Sequence, residues 1–205
     1  MNLVKVLAGL AVVLSANVSA NLIVNGSFED NSVASGSWAK YKASDVNGWD
    51  GQNFEIWDTF GGTTAYEGDQ LLELNAWGAR NGDNNSYVVS QSFSTDINEL
   101  YAVEFAYKAR TNNDESFLFE INDELGNTLY SEVLDDHTKS DWLVFDTTFL
   151  ASSALASINF TSINSGTVGN LIDAINVTRV PEPATFAPFA AALLLVGARR
   201  MKKAR

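Results

Sequence analysis

The sequence contains no cysteine and a single histidine, His137, among its 205 residues. The lack of cysteine excludes a catalytic thiol and any disulfide, so a domain of this size must rely on its core, with or without a bound metal ion. A Ser-His-Asp triad would have to use His137, which lies in the acidic segment "VLDDHTKSDW" with no nucleophile-elbow motif near it. The composition therefore argues against nucleophilic catalysis by cysteine or serine.

Basic residues are scarce in the body of the chain. Between residues 21 and 179 there are seven Lys or Arg against 24 Asp or Glu. A domain with this balance repels nucleic acid phosphates and anionic lipid headgroups, so we expect no nucleic acid partner. Cations and neutral polymers remain as partner classes.

Proline is absent from the body, since all three prolines follow residue 180. The stretch "VPEP" (Val180 to Pro183) cannot continue a central strand, because proline has no N–H to donate. An apolar segment follows at 184–198, and "RRMKKAR" closes the chain. As a helix these 15 residues span about 22 Å, against a hydrocarbon core of about 30 Å. The segment is therefore a marginal permanent anchor.

This three-part tail, 180–205, resembles the PEP-CTERM sorting signal. The matching positions are the motif Pro181, Glu182 and Pro183, the transmembrane stretch 184–198, and the basic cluster that begins at Arg199 and Arg200. The resemblance implies a Gram-negative bacterium in which an exosortase recognises the tail and processes it near the motif. It also implies an inner-membrane intermediate held by the tail, and a link to exopolysaccharide and biofilm matrix. An ordinary C-terminal anchor is the alternative.

The N-terminus has the pattern of a secretory signal peptide. A short basic region is followed by the apolar run "VLAGLAVVL", and the small residues Ser19 and Ala20 suit cleavage after Ala20. The apolar run is too short to span a bilayer. We therefore expect a signal peptide at 1–20 and one exported domain at 21–179, destined for the cell surface or extracellular matrix; a buried N-terminal helix is the alternative.

The body of the chain has the pattern of an all-β protein. Short runs rich in Val, Ile, Phe, Tyr and Thr are separated by clusters of Gly, Asn, Asp and Ser. In "LYAVEFAYKAR" the apolar residues Tyr101, Val103, Phe105 and Tyr107 alternate with a second face. About ten such strands predict a jelly-roll β-sandwich, with a barrel as the lesser alternative. Gly126 and Asn127 predict a hairpin turn.

Asp173 stands out in the last predicted strand, "NLIDAINVTRV". Strict alternation places it on one apolar face with Leu171, Ile175 and Val177, so we expect it to be buried. A buried carboxylate requires a partner. An Arg, a set of backbone amides and a calcium ion are the three candidates.

Several motifs in their order resemble the galactose-binding-type jelly roll of carbohydrate-binding modules. They include "NLIVNGSFED", "AYEGDQLLELNAW", "YAVEFAYKAR" and the closing "NLIDAINVTRV", and the resemblance covers nearly all of residues 21–180. It implies a structural calcium ion between the first and last strands, with Glu29 and Asp173 as ligands. The alternative is a solvated Glu29 and an Asp173 bonded to backbone amides.

Aromatic and basic residues supply candidate ligand contacts. Sugar rings stack on aromatic side chains, and Trp77 lies in the loop-like segment "NAWGARNGDNN" close to Arg80. We expect Trp49 and Trp57 to be packed in the interior. Arg110 ends a predicted strand, where it contacts a sugar hydroxyl or balances Asp114 and Glu115.

These features together predict an exported, non-enzymatic surface or biofilm-matrix protein with calcium as a structural cofactor. Its expected partners are the exosortase, an extracellular polysaccharide and, before processing, the membrane. A secreted glycan-active hydrolase and a purely structural matrix component are the two alternatives.

Overall fold

Eleven strands form two antiparallel sheets in the computed structural model, which describes residues 19–76, 87–111, 115–163 and 166–181. The six-stranded sheet has the order β1-β3-β4-β11-β6-β9, and the five-stranded sheet the order β2-β5-β10-β7-β8. The strands are β1 (Ser37–Lys42), β2 (Asp50–Gly51), β3 (Asn53–Asp58), β4 (Gln70–Glu73), β5 (Val88–Ser94), β6 (Leu100–Ala109), β7 (Phe117–Asp123), β8 (Thr128–Leu134), β9 (Leu143–Leu150), β10 (Leu155–Ser162) and β11 (Asn170–Arg179). The prediction of an all-β sandwich is confirmed.

The core lies between the two sheets and is rich in phenylalanine. Phe105 of β6 lies at its centre, with ring centroids 4.9 Å from Phe119, 4.9 Å from Phe145 and 5.0 Å from Phe160. These contacts follow from the alternation predicted for β6, whose residues Tyr101, Val103, Phe105 and Tyr107 are all buried. Burial of such side chains contributes ~25 cal/mol per Å² of apolar surface and is the main force that holds the sheets together.

The β7–β8 hairpin turns where its sequence predicts it. Gly126 has φ +82°, a conformation that a Cβ disfavours, and the N–H groups of Leu125 and Asn127 both donate to Asp123 Oδ1. The side chain of Asp123 thus stabilises the turn from within.

A bulge interrupts β11 and changes which residues face the core. The pairing of β11 with β6 shifts register between Asp173 and Asn176, and Ala174 has φ +52°. Ile175 and Val177 consequently belong to the main core, whereas Leu171 belongs to a second cluster on the outer side of the sheet. The prediction that these residues share one face was wrong, because a bulge inserts an extra residue and reverses the alternation beyond it.

The segment that precedes β1 lies along the second half of β11. Leu22 N donates to Val177 O at 2.8 Å, and Ile175 N donates to Gly26 O at 3.0 Å. The backbones are so close that a Cβ at Gly26 would collide with the carbonyl oxygen of Ile175. Residues Ala20–Val180 form one compact unit.

The predicted signal peptide, apart from its last two residues, and most of the predicted sorting tail lie outside the described residues. Pro181 is described, but Glu182, Pro183, Arg199, Arg200 and the stretch 184–198 are not. Within the described part of the chain, no helix has the length and apolar character needed to cross a bilayer.

Candidate functional site

The outer face of the six-stranded sheet carries an unusual set of aromatic side chains. On β3, Phe54 and Ile56 point into the core, so Glu55 and Trp57 point outward. Cross-strand pairing places Trp38 of β1 beside Trp57, and Trp57 beside Leu71 of β4. We call this surface the aromatic face; its aromatic members are Trp38, Trp57, Phe60, Tyr66 and Trp142.

A small second core lies under part of the aromatic face. Trp57, Leu71 and Leu171 are buried there, although they lie on the side of the sheet away from the main core. The loop after β3 covers them, since the Phe60 ring packs edge-on against Trp57 with centroids 5.0 Å apart. Trp57 is packed, as predicted, but against this loop and outside the space between the sheets.

Tyr66 and Trp142 form an accessible pair at the edge of this small core. Tyr66 is 51% exposed, and Trp142 is partly exposed at the start of β9. Their ring centroids lie 6.2 Å apart, and Trp142 Nε1 donates to Thr64 O at 3.1 Å, which fixes the indole. Lys108 Nζ lies 6.0 Å from the centre of the Trp142 ring. The arrangement offers a ring surface with a cation beside it, which suits a hydroxyl-rich ligand.

Arg110 joins the aromatic face to a buried carboxylate. Its Nη1 donates to both oxygens of Glu73, at 2.7 and 2.8 Å, and to Thr167 O at 3.1 Å. Its guanidinium carbon lies 4.8 Å from the centre of the Trp57 ring. The expected ion pair between the Arg110 side chain and Glu115 is not formed. Glu115 instead accepts the backbone N–H groups of Arg110 and Thr111. Asp114 lies outside the described residues.

Glu73 and Glu55 form a carboxyl pair beneath Arg110. They lie directly opposite each other on β4 and β3, and both are buried. Burial raises the pKa of Glu73 to about 8, although Arg110 lowers it, and the neighbouring Glu55 carboxyl group raises it further. At neutral pH the protonated form of Glu73 is therefore favoured.

Asp173 holds the loop that carries Tyr66. Its Oδ2 accepts the N–H groups of Tyr66 at 2.7 Å and Glu67 at 2.9 Å, and its Oδ1 accepts the N–H of Ala174. The side chain is buried, as predicted, and burial raises its pKa to about 7. Of the partners considered for this carboxylate, backbone amides are the ones present in the structure.

Glu29 binds the same loop a few residues further on. Its Oε1 accepts the N–H groups of Asp69 at 2.8 Å and Gln70 at 2.7 Å. Calcium coordinates oxygen atoms only, whereas Glu29 and Asp173 both face N–H donors. Within the described residues no group of three or more His, Cys, Asp or Glu side chains has the geometry to hold a metal ion. The two carboxylates are thus held by amides in this structure, and the calcium ion that the resemblance implies stays a prediction.

His137 is a buried structural residue. It is fully buried, its Nε2 lies 2.6 Å from Asn170 Oδ1, and its ring packs 5.3 Å from that of Tyr107. Its hydrogen-bond partner is thus an amide, and the ring is sealed from any substrate.

Two of the predicted ligand contacts, Trp77 and Arg80, lie outside the described residues, which resume at residue 87. Arg110 is placed on the aromatic face. Sequence reasoning missed Tyr66, Trp142 and Lys108, because the pairing of distant strands brings them together. The outward position of Lys108 in the alternating β6 was the one local signal for it.

No protein-family model matches this sequence, and no curated protein matches it. Among solved structures, the chain is similar to a family 61 carbohydrate-binding module in complex with β-1,4-galactotriose, with a TM-score of 0.52 and 16% identity over 79% of this chain and 100% of that one. It is also similar to an arabinose-bound family 51 α-L-arabinofuranosidase, with a TM-score of 0.51 and 8% identity over 78% of this chain and 26% of the enzyme.

The CBM22-1 xylan-binding domain from Paenibacillus barcinonensis Xyn10C is a weaker neighbour, with a TM-score of 0.44 and 15% identity over 74% of this chain and 100% of that one. At these identities the likeness is one of fold. The fold is the jelly-roll β-sandwich found in carbohydrate-binding modules.

Proposed function

We propose that this chain is an exported, non-enzymatic carbohydrate-binding protein of the bacterial cell surface or exopolysaccharide matrix, and that its aromatic face binds a polysaccharide. The observation that carries the proposal is the pairing of Tyr66 with Trp142 beside Lys108 on an outward sheet face. Exposed rings supply stacking surfaces for sugars, and neighbouring polar groups orient them. The carbohydrate-binding-module fold supports the same conclusion.

Substitution of Trp142 tests this site. Trp142→Ala removes a partly exposed ring, so we expect affinity for the bound polysaccharide to fall about tenfold or more, with a melting temperature close to that of the wild type. Leu125→Ala is the matched control, since Leu125 is 86% exposed at the distant β7–β8 turn. Affinity electrophoresis against a polysaccharide panel measures both. If Trp142→Ala binds with unchanged affinity, the binding site does not lie on the aromatic face.

Trp77 and Arg80 stay predicted contacts in the segment that follows β4. If that segment contributes a further ring, Trp77→Ala weakens binding in the same assay without a change in melting temperature. Wild-type affinity in this variant would confine the site to the sheet.

The carboxyl pair supports a non-catalytic role. Glycosidases place two carboxyl groups about 5 Å or more apart, on opposite sides of the bond to be cleaved. Glu55 and Glu73 instead are both buried and lie directly opposite each other on neighbouring strands. Release of reducing sugar by the purified domain would establish the hydrolase alternative, and failure to bind any polysaccharide would favour a purely structural matrix component.

Export and processing form the second part of the proposal. The signal-peptide pattern at 1–20 and the tail at 180–205 support secretion followed by exosortase processing near Pro181–Pro183. Intact-mass analysis of protein from the native host is expected to show the loss of 184–198 and of the cluster that begins at Arg199 and Arg200. Retention of these residues in the mature protein contradicts processing.

A structural calcium ion at Glu29 and Asp173 remains a prediction. Its test is the melting temperature with and without EDTA, which is developed with the other predictions below.

A further inference from the structure

We propose that one end of the β-sandwich is a membrane-contact surface, whose exposed leucine and isoleucine side chains rest on a zwitterionic lipid bilayer before the chain is processed. The inference rests on the export route in the proposed function, in which the tail holds the chain at a membrane. It is carried by the place where β11 ends and by the side chains exposed around that place.

Three loops meet at the end of the sandwich where β11 finishes. Asn98 N donates to Ala151 O at 2.8 Å, and Glu124 N donates to Ser153 Oγ at 3.2 Å. These hydrogen bonds join the loops into one surface, which we call the exit end. Its loops connect β5 to β6, β7 to β8 and β9 to β10, and they are 95–99, 124–127 and 151–154.

The exit end carries exposed aliphatic side chains. Leu125, Ile97 and Leu150 are 86%, 57% and 56% exposed, more than any other large apolar side chain in the part of the chain that the structure describes. Leu100 is exposed beside Leu150, its cross-strand partner, and Leu155 is exposed at the start of β10. Exposed apolar groups at the tips of loops gain free energy when they enter the boundary between lipid headgroups and acyl chains.

The last described strand ends beside these side chains. Val180 N donates to Leu100 O at 2.8 Å, which fixes the end of the domain next to the Leu100–Leu150 pair. The apolar segment begins at residue 184, and an extended chain covers the distance from Val180 in at most about 14 Å. Insertion of that segment therefore confines the exit end to the bilayer surface. The connection also raises the local concentration of lipid, so even a weak apolar contact forms.

The charges of the exit end select the kind of lipid surface. Arg179 pairs with Asp96 at 3.0 Å and with Glu99 at 2.7 Å, and Glu124 is a further exposed acid. The three loops themselves contain no Lys or Arg. This balance opposes contact with anionic headgroups, whereas a zwitterionic surface has no net charge to repel it.

The exit end lies far from the proposed glycan site. Lys108, which lies beside Trp142, is eight residues from Leu100 along β6, or about 27 Å at the rise of a strand. Contact between the exit end and a bilayer consequently places Tyr66 and Trp142 at the distal end of the domain, where a polysaccharide reaches them.

The test uses the absence of cysteine, which makes any introduced thiol unique. Residues 21–205 are placed in phosphatidylcholine nanodiscs whose acyl chains carry bromine, which quenches a fluorophore on contact. We expect the bromine to lower the fluorescence of a bimane probe at Ile97→Cys or Leu125→Cys about twofold or more. Val133→Cys is the matched control, since Val133 is 50% exposed near the far end of β8, and its fluorescence should not change.

A double variant separates apolar contact from tethering alone. Ile97→Asp/Leu150→Asp places charges at two exposed positions of the exit end, and we expect it to reduce the quenching at Leu125→Cys about twofold or more. Quenching at Leu125→Cys that is the same with and without the two aspartates would overturn the proposed contact.

A probe in the tail distinguishes failure of this inference from failure of the export route. Quenching at Leu194→Cys, with none at Ile97→Cys and Leu125→Cys, would overturn the membrane-contact surface and leave the membrane-held intermediate intact. No quenching at Leu194→Cys would contradict that intermediate, and the inference with it. A dimeric mass of residues 21–180 in sedimentation without lipid, lost in Ile97→Asp/Leu150→Asp, would assign the exit end to a second copy and overturn the proposal.

Discussion

The outer faces of the two sheets differ in almost every chemical respect. The five strands of the five-stranded sheet contain no Lys, Arg or Trp, and their outward row from Ser92 through Ser157 to Asn122 is made of hydroxyl and amide groups. The six-stranded sheet carries Trp38 and Trp57 with Lys40 and Lys108 on its outward side. Both sheets contribute equally well to one core, so the difference is not needed for folding. It points to a function confined to one side of the sandwich.

The largest effect is expected when the tryptophan under the aromatic face is removed. Trp57→Ala leaves a cavity beneath Phe60 and Arg110, and truncation of a buried aromatic residue costs ~3–5 kcal/mol in the free energy of unfolding. Urea unfolding followed by fluorescence measures the loss. Trp142→Ala is the comparison within the same face, and we expect it to cost less than ~1 kcal/mol. Equal losses would show that the exposed ring is structural.

The next prediction concerns how the free energy of unfolding depends on pH, because a carboxyl group of the six-stranded sheet has a strongly raised pKa. The pKa of Glu73 is raised from 4.5 to about 8, so the native state binds more protons than the unfolded state between these values. The free energy of unfolding therefore falls as pH rises through this interval and levels off above it. Glu73→Gln keeps a neutral hydrogen-bonding group and should reduce this fall, most clearly above pH 7, since the raised pKa of Asp173 contributes a fall of its own below that value. A wild-type profile in this variant contradicts the raised pKa of Glu73.

Asp173 gives a smaller effect that reaches the binding loop. Asp173→Ala leaves the N–H groups of Tyr66 and Glu67 without their acceptor, which costs ~1–3 kcal/mol, and it releases the loop that presents Tyr66. We expect a lower melting temperature together with weaker glycan binding. Asp123→Ala is the control, since Asp123 stabilises a turn far from this loop. Loss of stability without loss of binding would separate Asp173 from the site.

EDTA distinguishes amides from calcium as partners of the same carboxylates. Because Glu29 and Asp173 are occupied by N–H donors, we expect EDTA to leave the melting temperature of the wild type unchanged. A decrease that Asp173→Ala abolishes would instead establish the calcium ion implied by the family resemblance.

Sequence reasoning succeeded where the pattern is local. The alternation of β6 identified its buried face, and the position of Asp173 in an apolar strand identified a buried carboxylate. It failed at Ala174, because alanine has no preference for positive φ and therefore gives no sequence signal of the bulge. It missed the Trp38–Trp57 pair and the Glu55–Glu73 pair for another reason. Each joins residues that no local periodicity relates, and only strand register brings them together.

The course of β11 has a mechanical consequence. This strand lies inside the six-stranded sheet, bonded to β4 and β6, and the N-terminal segment runs along its second half. A pull on residue 180 therefore loads the many β11–β6 hydrogen bonds in parallel, as shear, and does not open them one at a time. Under the proposed function, tension between that end of the domain and a polymer bound to the same sheet would run along the strands.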